Sequence, residues 1–211
     1  MTKKKKKIGI MGGTFNPIHF GHLILAEAAY EQYHLDKVLI MPAKEPSHKT
    51  ISDTKTEEDR VEMVKRAIKG NDHFELSLLE INREGITYTI DTLTELHEED
   101  SEIEYYFIMG ADSLFHFNSW KEPEKILKLT YILVANRDLS TFSALNSQID
   151  YLSDKYDEAN ISLLDTPNLE ISSHALRKRV RQNLSIKYYV PQSVEEYIKE
   201  HGLYQNKANV K

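Results

Sequence analysis

Apolar residues along this chain fall into short dense runs separated by longer stretches with helical spacing. The runs at 7–11, 37–41, 74–79, 105–109, 131–135 and 161–164 hold four to six residues each, rich in Ile, Leu, Val, Tyr and Phe, which predicts strands. Between them, 21–33 places Leu23, Ile24 and Ala28 at helical spacing, and Thr56 with Asp59 three residues on opens another helix in the manner of a capping box. Further helical spacing covers 90–97, 123–129, 143–155, 172–182 and 193–201. Near-continuous apolar strands are buried on both faces, and strands separated by helices need crossover connections. The order therefore predicts an α/β fold, a doubly wound parallel sheet with helices on both faces. A chain of 211 residues suits a single domain, with its core over about 7–190 and a C-terminal helix at about 192–204. In such a sheet, ligands sit beyond the carboxyl ends of the strands.

Charge narrows the class of partner. A formal net charge of -6 and the lack of a long basic face argue against nucleic acid or an anionic membrane, so a small-molecule substrate is expected. The lysines at 3–7 directly precede the first apolar run and read as a solvated, frayed terminus. The absence of cysteine excludes disulfides, thiolate metal sites and cysteine nucleophiles. No apolar stretch reaches the length of a bilayer span, and the expected location is the cytoplasm.

The first predicted strand runs into Gly12-Gly13-Thr14-Phe15-Asn16-Pro17-Ile18-His19-Phe20-Gly21-His22. Adjacent glycines after a strand let backbone approach a bulky anion, and the helix that follows offers unpaired N–H groups to phosphate. The segment is neither a Walker loop nor a Gly-x-Gly-x-x-Gly fingerprint. His19 and His22 are three residues apart and share a face if helical. Three readings of the pair stand: polar residues beside a turn, zinc ligands, or donors to charge developing in phosphoryl transfer. Zinc comes last, because neither cysteine nor a His-Glu-x-x-His motif supplies further ligands. Phosphoryl transfer asks mainly for alignment and charge neutralisation, which two imidazoles at a helix start can supply.

These residues resemble the signature of the nucleotidyltransferase superfamily that carries the His/Thr-x-Gly-His motif, and specifically that of the bacterial nicotinate mononucleotide adenylyltransferases. The resemblance implies a Rossmann-like core, ATP as the adenylyl donor with Mg²⁺, and nicotinate mononucleotide as acceptor. It implies that Gly12, Gly13, Thr14 and Phe15 line the ATP site and that His19 and His22 contact the ATP phosphates.

Other blocks follow in the family's order, from about residue 8 to residue 204. Ile171-Ser172-Ser173-His174-Ala175-Leu176-Arg177 is by itself a Ser-capped helix start followed by arginine. It is similar to the family's Ile-Ser-Ser-Thr-x-Ile/Leu-Arg motif, which places Ile171 and Ser172 at ATP and Arg177 on its phosphates, with His174 where threonine is usual. Tyr188 to Pro191 resembles the family's closing Tyr-x-Val-Pro pattern. Gly110-Ala111-Asp112-Ser113-Leu114 with Trp120, and Gly85-Ile86-Thr87-Tyr88-Thr89, are similar to the blocks that line the mononucleotide pocket. They imply Gly110, Asp112, Trp120, Thr87 and Tyr88 as acceptor contacts, with Thr89 read as a helix cap. Pro42 to Lys49 is similar to a loop whose basic pair, here His48 and Lys49, reaches the phosphates. No resident metal site is implied, and a homo-oligomer is compatible with the pattern. Two other classes stay open, a phosphopantetheine adenylyltransferase and a nucleotide-binding module without turnover.

Overall fold

A computed structural model describes residues 5–44, 56–135 and 142–205. Six strands form one sheet: β1 (Lys7–Gly13), β2 (Lys37–Pro42), β3 (Phe74–Leu76), β4 (Glu104–Gly110), β5 (Tyr131–Ala135) and β6 (Ile161–Leu164). Their order is β3-β2-β1-β4-β5-β6, and every neighbouring pair is parallel. This is the doubly wound Rossmann order, with its reversal between β1 and β4.

The helices are α1 (Phe20–Tyr33), α2 (Glu57–Ile68), α3 (Leu79–Asn82), α4 (Thr89–Glu99), α5 (Ala111–Phe115), α6 (Pro123–Leu129), α7 (Phe142–Lys155), α8 (Ser173–Arg181) and α9 (Gln192–Glu200). They build one apolar core on each face of the sheet. Tyr106 and Ile108 point to the face covered by α1, α2, α8 and α9, while Tyr105, Phe107 and Met109 point to the face covered by α4, α6 and α7. The period of two within a fully buried strand explains why β4 reads as one unbroken apolar run.

Four details differ from the sequence expectations. Gly12 and Gly13 do not follow the first strand but are its last two residues, in register with Met41 and Pro42. The run at 74–79 is strand only as far as Leu76; Leu79 already begins the single turn of α3, too short for periodicity to reveal. Tyr88, not Thr89, is the N-cap of α4, since its backbone is extended and Thr89 is the first helical residue. The C-terminal helix ends at Glu200 rather than near 204, because Gly202, at φ 56, and Tyr204, at φ 63, take the left-handed conformation and turn the chain back onto the core.

Candidate functional site

The segment between β1 and α1 is fixed from several directions by distant parts of the chain. Phe15 turns at φ 47 with its ring buried, and the Asn16–Pro17 peptide bond is cis. The guanidinium of Arg60, on α2, donates to the carbonyl of Thr14 at 2.9 Å and to that of Ala43 at 2.6 Å. Arg177 Nη1 donates to the carbonyl of Asn16 at 2.9 Å, and the Ser173 hydroxyl donates to that of Pro17 at 2.9 Å. The Tyr204 hydroxyl donates to Asn16 Oδ1 at 2.6 Å. Buried carbonyls without donors are costly, so these side chains specify one path for the turn.

On that path His19 is the N-cap of α1, and His22 sits at its third helical position. Their rings stack, with centroids 3.7 Å apart and 25° between planes, and the Phe15 ring meets His22 edge-on at 5.1 Å. His22 Nδ1 accepts from the His19 N–H at 3.3 Å, half of a capping box with an imidazole as acceptor. An acceptor role at Nδ1 places the proton of neutral His22 on Nε2. A Cβ on Gly21 would lie 3.0 Å from His19 Nδ1 and 3.6 Å from Ile171 Cβ, so the absent side chain makes room for the imidazole. Glycine earns its place here by close approach, and the contact also brings Ile171 beside the histidine pair.

The second predicted ATP block arrives at the same turn. Ser172 caps α8, its hydroxyl accepting from the Ala175 N–H at 3.2 Å. Ser173 and Arg177 make the bonds to Pro17 and Asn16. His174 is exposed. Thus His19, His22, Phe15, Ile171 and Arg177 converge. His48 and Lys49 lie outside the described residues.

A second group gathers around the start of α4 and the end of β4. Gly110 caps α5, with Asp112 exposed in its first turn. Trp120 packs edge-on against Phe107 at 6.0 Å and against Phe117 at 5.3 Å while remaining partly exposed. Lys121 spans Asp91, at 2.9 Å, and the face of the Tyr88 ring, at 4.7 Å. Thr87 is buried, and its hydroxyl has no hydrogen-bond partner among the described residues. Behind it, the Thr92 hydroxyl donates to buried Glu80 at 2.8 Å, Arg83 donates to the Thr92 hydroxyl at 2.9 Å, and Arg83 also pairs with Glu95. Burial pushes the Glu80 carboxyl up to about 7, against the opposing pull of Thr92 and Arg83.

A groove of about 590 Å³ between α4 and α6 is lined by none of the residues expected to contact ATP or the mononucleotide. Its ionic side chains include the pairs Arg83–Glu95 and Lys125–Glu122. Among the described residues no cluster of three His, Cys, Asp or Glu side chains could hold a metal ion.

A family model for cytidylyltransferase-like proteins matches residues 10–179. A protein of Lachnoclostridium phytofermentans named a probable nicotinate-nucleotide adenylyltransferase is 48% identical over 199 residues, spanning 94% of this chain and 99% of that one. The chain belongs to the nicotinate-nucleotide adenylyltransferase family. A relative of the same name from Desulfitobacterium hafniense is 44% identical, covering 95% of this chain and 96% of its own. The Plasmodium falciparum nicotinic acid mononucleotide adenylyltransferase complexed with APC shares the fold at a TM-score of 0.75 and 20% identity, covering 94% of this chain and 97% of that one. Family motifs account for the histidine pair and the Ser172 cap. Arg60 carried no such signal, because its partners are backbone carbonyls that leave no trace in sequence.

Proposed function

We propose that this chain transfers the adenylyl group of ATP to nicotinate mononucleotide, forming nicotinate adenine dinucleotide and pyrophosphate. The observation that carries the reading is the stacked pair His19 and His22 at the start of α1, held beside the carboxyl end of β1 by Arg177 and its neighbours. Family membership supports the same reaction.

In this reading an oxygen of the mononucleotide's 5′-phosphate bonds to the α-phosphorus of ATP as the bond to the pyrophosphate oxygen breaks, and the electron pair leaves with pyrophosphate. No residue is covalently modified. His19 and His22 donate to phosphate oxygens as charge moves to the leaving group, with Arg177 and Lys49 adding positive charge. In this reading Gly12, Gly13, Thr14, Phe15, Ile171 and Ser172 line the ATP side, and His48, outside the described residues, is assigned to the same ligand. A crevice bounded by Gly21, Leu25, Pro167 and Ile171 lies next to that wall. Thr87, Tyr88, Gly110, Asp112 and Trp120 form the acceptor side, where the buried Thr87 hydroxyl suits a polar ligand atom. Mg²⁺ arrives bound to the triphosphate and neutralises part of its charge. The reading treats 1–211 as a single nucleotidyltransferase domain acting in the cytoplasm; among the described residues no helix is long and apolar enough to cross a membrane.

The test is pyrophosphate release from Mg²⁺-ATP with nicotinate mononucleotide, nicotinamide mononucleotide or phosphopantetheine, with the product mass confirmed. The expected result is release with the first acceptor at least tenfold faster than with the second, about 1.4 kcal/mol of discrimination. Turnover with phosphopantetheine alone would overturn the acceptor, and ATP binding with no turnover would replace the enzyme by a binding module.

A further inference from the structure

A chain of polar contacts runs from the ATP side of the site to the acceptor side, and it passes through Lys44. On one side, Arg60 Nη1 holds the carbonyls of Thr14 and Ala43, and Nη2 reaches the Lys44 carbonyl at 3.4 Å. On the other, Lys44 Nζ donates to the carbonyl of Arg83 at 3.0 Å across 39 positions. Arg83 in turn holds the Thr92 hydroxyl, which holds Glu80. Arg60 is 1% exposed, so the first link is dry, and the carbonyls that receive its protons lie in two different segments. Arg83 stands at the end of α3 and Thr87 and Tyr88 lead into α4, so the far link ends where the acceptor block begins.

We propose that Lys44 is a positioning residue that sets the acceptor segment at a fixed distance from the ATP-binding turn. The inference rests on the adenylyl-transfer reading above. In-line displacement requires two bound substrates to meet within a fraction of an ångström of the reactive geometry, and a misplacement of 1 Å can cost roughly a hundredfold in rate. Each half-site has its own internal supports, Tyr204 and Arg177 for the turn, Thr92 and Glu80 for the acceptor segment. Removing the Lys44 amine leaves both halves built and loosens only their relative placement. Its signature is therefore a fall in kcat with each KM nearly unchanged.

The experiment compares wild type with Lys44→Met, which keeps the aliphatic stem and loses the donor, and Lys44→Arg, which restores one. Steady-state constants for both substrates are measured alongside thermal midpoints. Lys44→Met is expected to lower kcat about tenfold with each KM within about twofold, and Lys44→Arg to recover most of the loss. Wild-type kcat in Lys44→Met overturns the inference, as does a loss confined to either KM, or a fall in thermal midpoint large enough to account for the lost activity. If the wild-type protein itself makes no dinucleotide, it is the reaction assignment that has failed.

Discussion

The hydroxyl of Tyr204 donates to Asn16 Oδ1 at 2.6 Å across 188 positions of chain, in a buried setting. The same burial raises the phenol's pKa, so the group stays a proton donor at any physiological pH. Tyr204→Phe removes the donor and leaves a buried amide oxygen unsatisfied, a penalty of about 1–3 kcal/mol. The expected outcome is a lower urea midpoint with an unchanged slope. An unaltered midpoint would mean that water replaces the hydroxyl at no cost.

His22 caps α1 and is proposed to act in the chemistry, and substitution separates the two roles. His22→Ala is expected to lower kcat roughly a hundredfold or more. Because His22 Nδ1 also receives the His19 N–H, the same change costs about 1 kcal/mol of stability. His22→Gln reaches back to that N–H as a conventional capping-box residue, so it should recover the stability but not the turnover. Kinetics and denaturation on the two variants check this; full turnover in either removes His22 from the chemistry.

Thr87→Val deletes a hydroxyl that has no hydrogen-bond partner among the described residues. Folding stability should therefore hold or rise, while the KM for nicotinate mononucleotide rises about tenfold, the worth of one hydrogen bond to a charged ligand. A drop in stability with unchanged KM would make Thr87 a structural residue.

Glu80 gives the protein a defined acid–base response. Burial holds its folded pKa at about 7, above the ordinary carboxylate value of 4.5, so its contribution to stability is fully present below about 4.5 and is lost as pH rises through about 7. The whole span amounts to up to about 3 kcal/mol. Glu80→Gln keeps an acceptor for the Thr92 hydroxyl and abolishes the titration. Thermal midpoints at pH 5 and pH 8 should fall with pH in the wild type and stay level in the variant; equal slopes would assign the effect to another group.

The central strands were legible because burial on both faces leaves no alternation to interpret, and β5 coincides with its apolar run residue for residue, as does β6 at the sheet edge, where Ser162 is exposed. Thr56 shows the same transparency at a helix start, its hydroxyl accepting from the Asp59 N–H at 3.1 Å. Legibility ended where one residue type has several uses. Leu79 extends an apolar run but turns into α3 over the buried Glu80. Gly12 and Gly13 read as residues that follow a strand yet finish it, while the close approach to His19 belongs to Gly21. Arg60 carries no signal in the sequence, and its three carbonyl partners explain its burial. Motif order nominated the two halves of the candidate site, whereas the bonds that join them depend on tertiary geometry.

The reversal of strand order between β1 and β4 divides the site by origin. The residues proposed for ATP come from 12–22, 48–49 and 171–177, and those proposed for the acceptor come from the one stretch between them, 87–120. A lineage could therefore exchange one acceptor for another by editing a single internal stretch of its gene, while selection keeps the flanking codons for the donor unchanged.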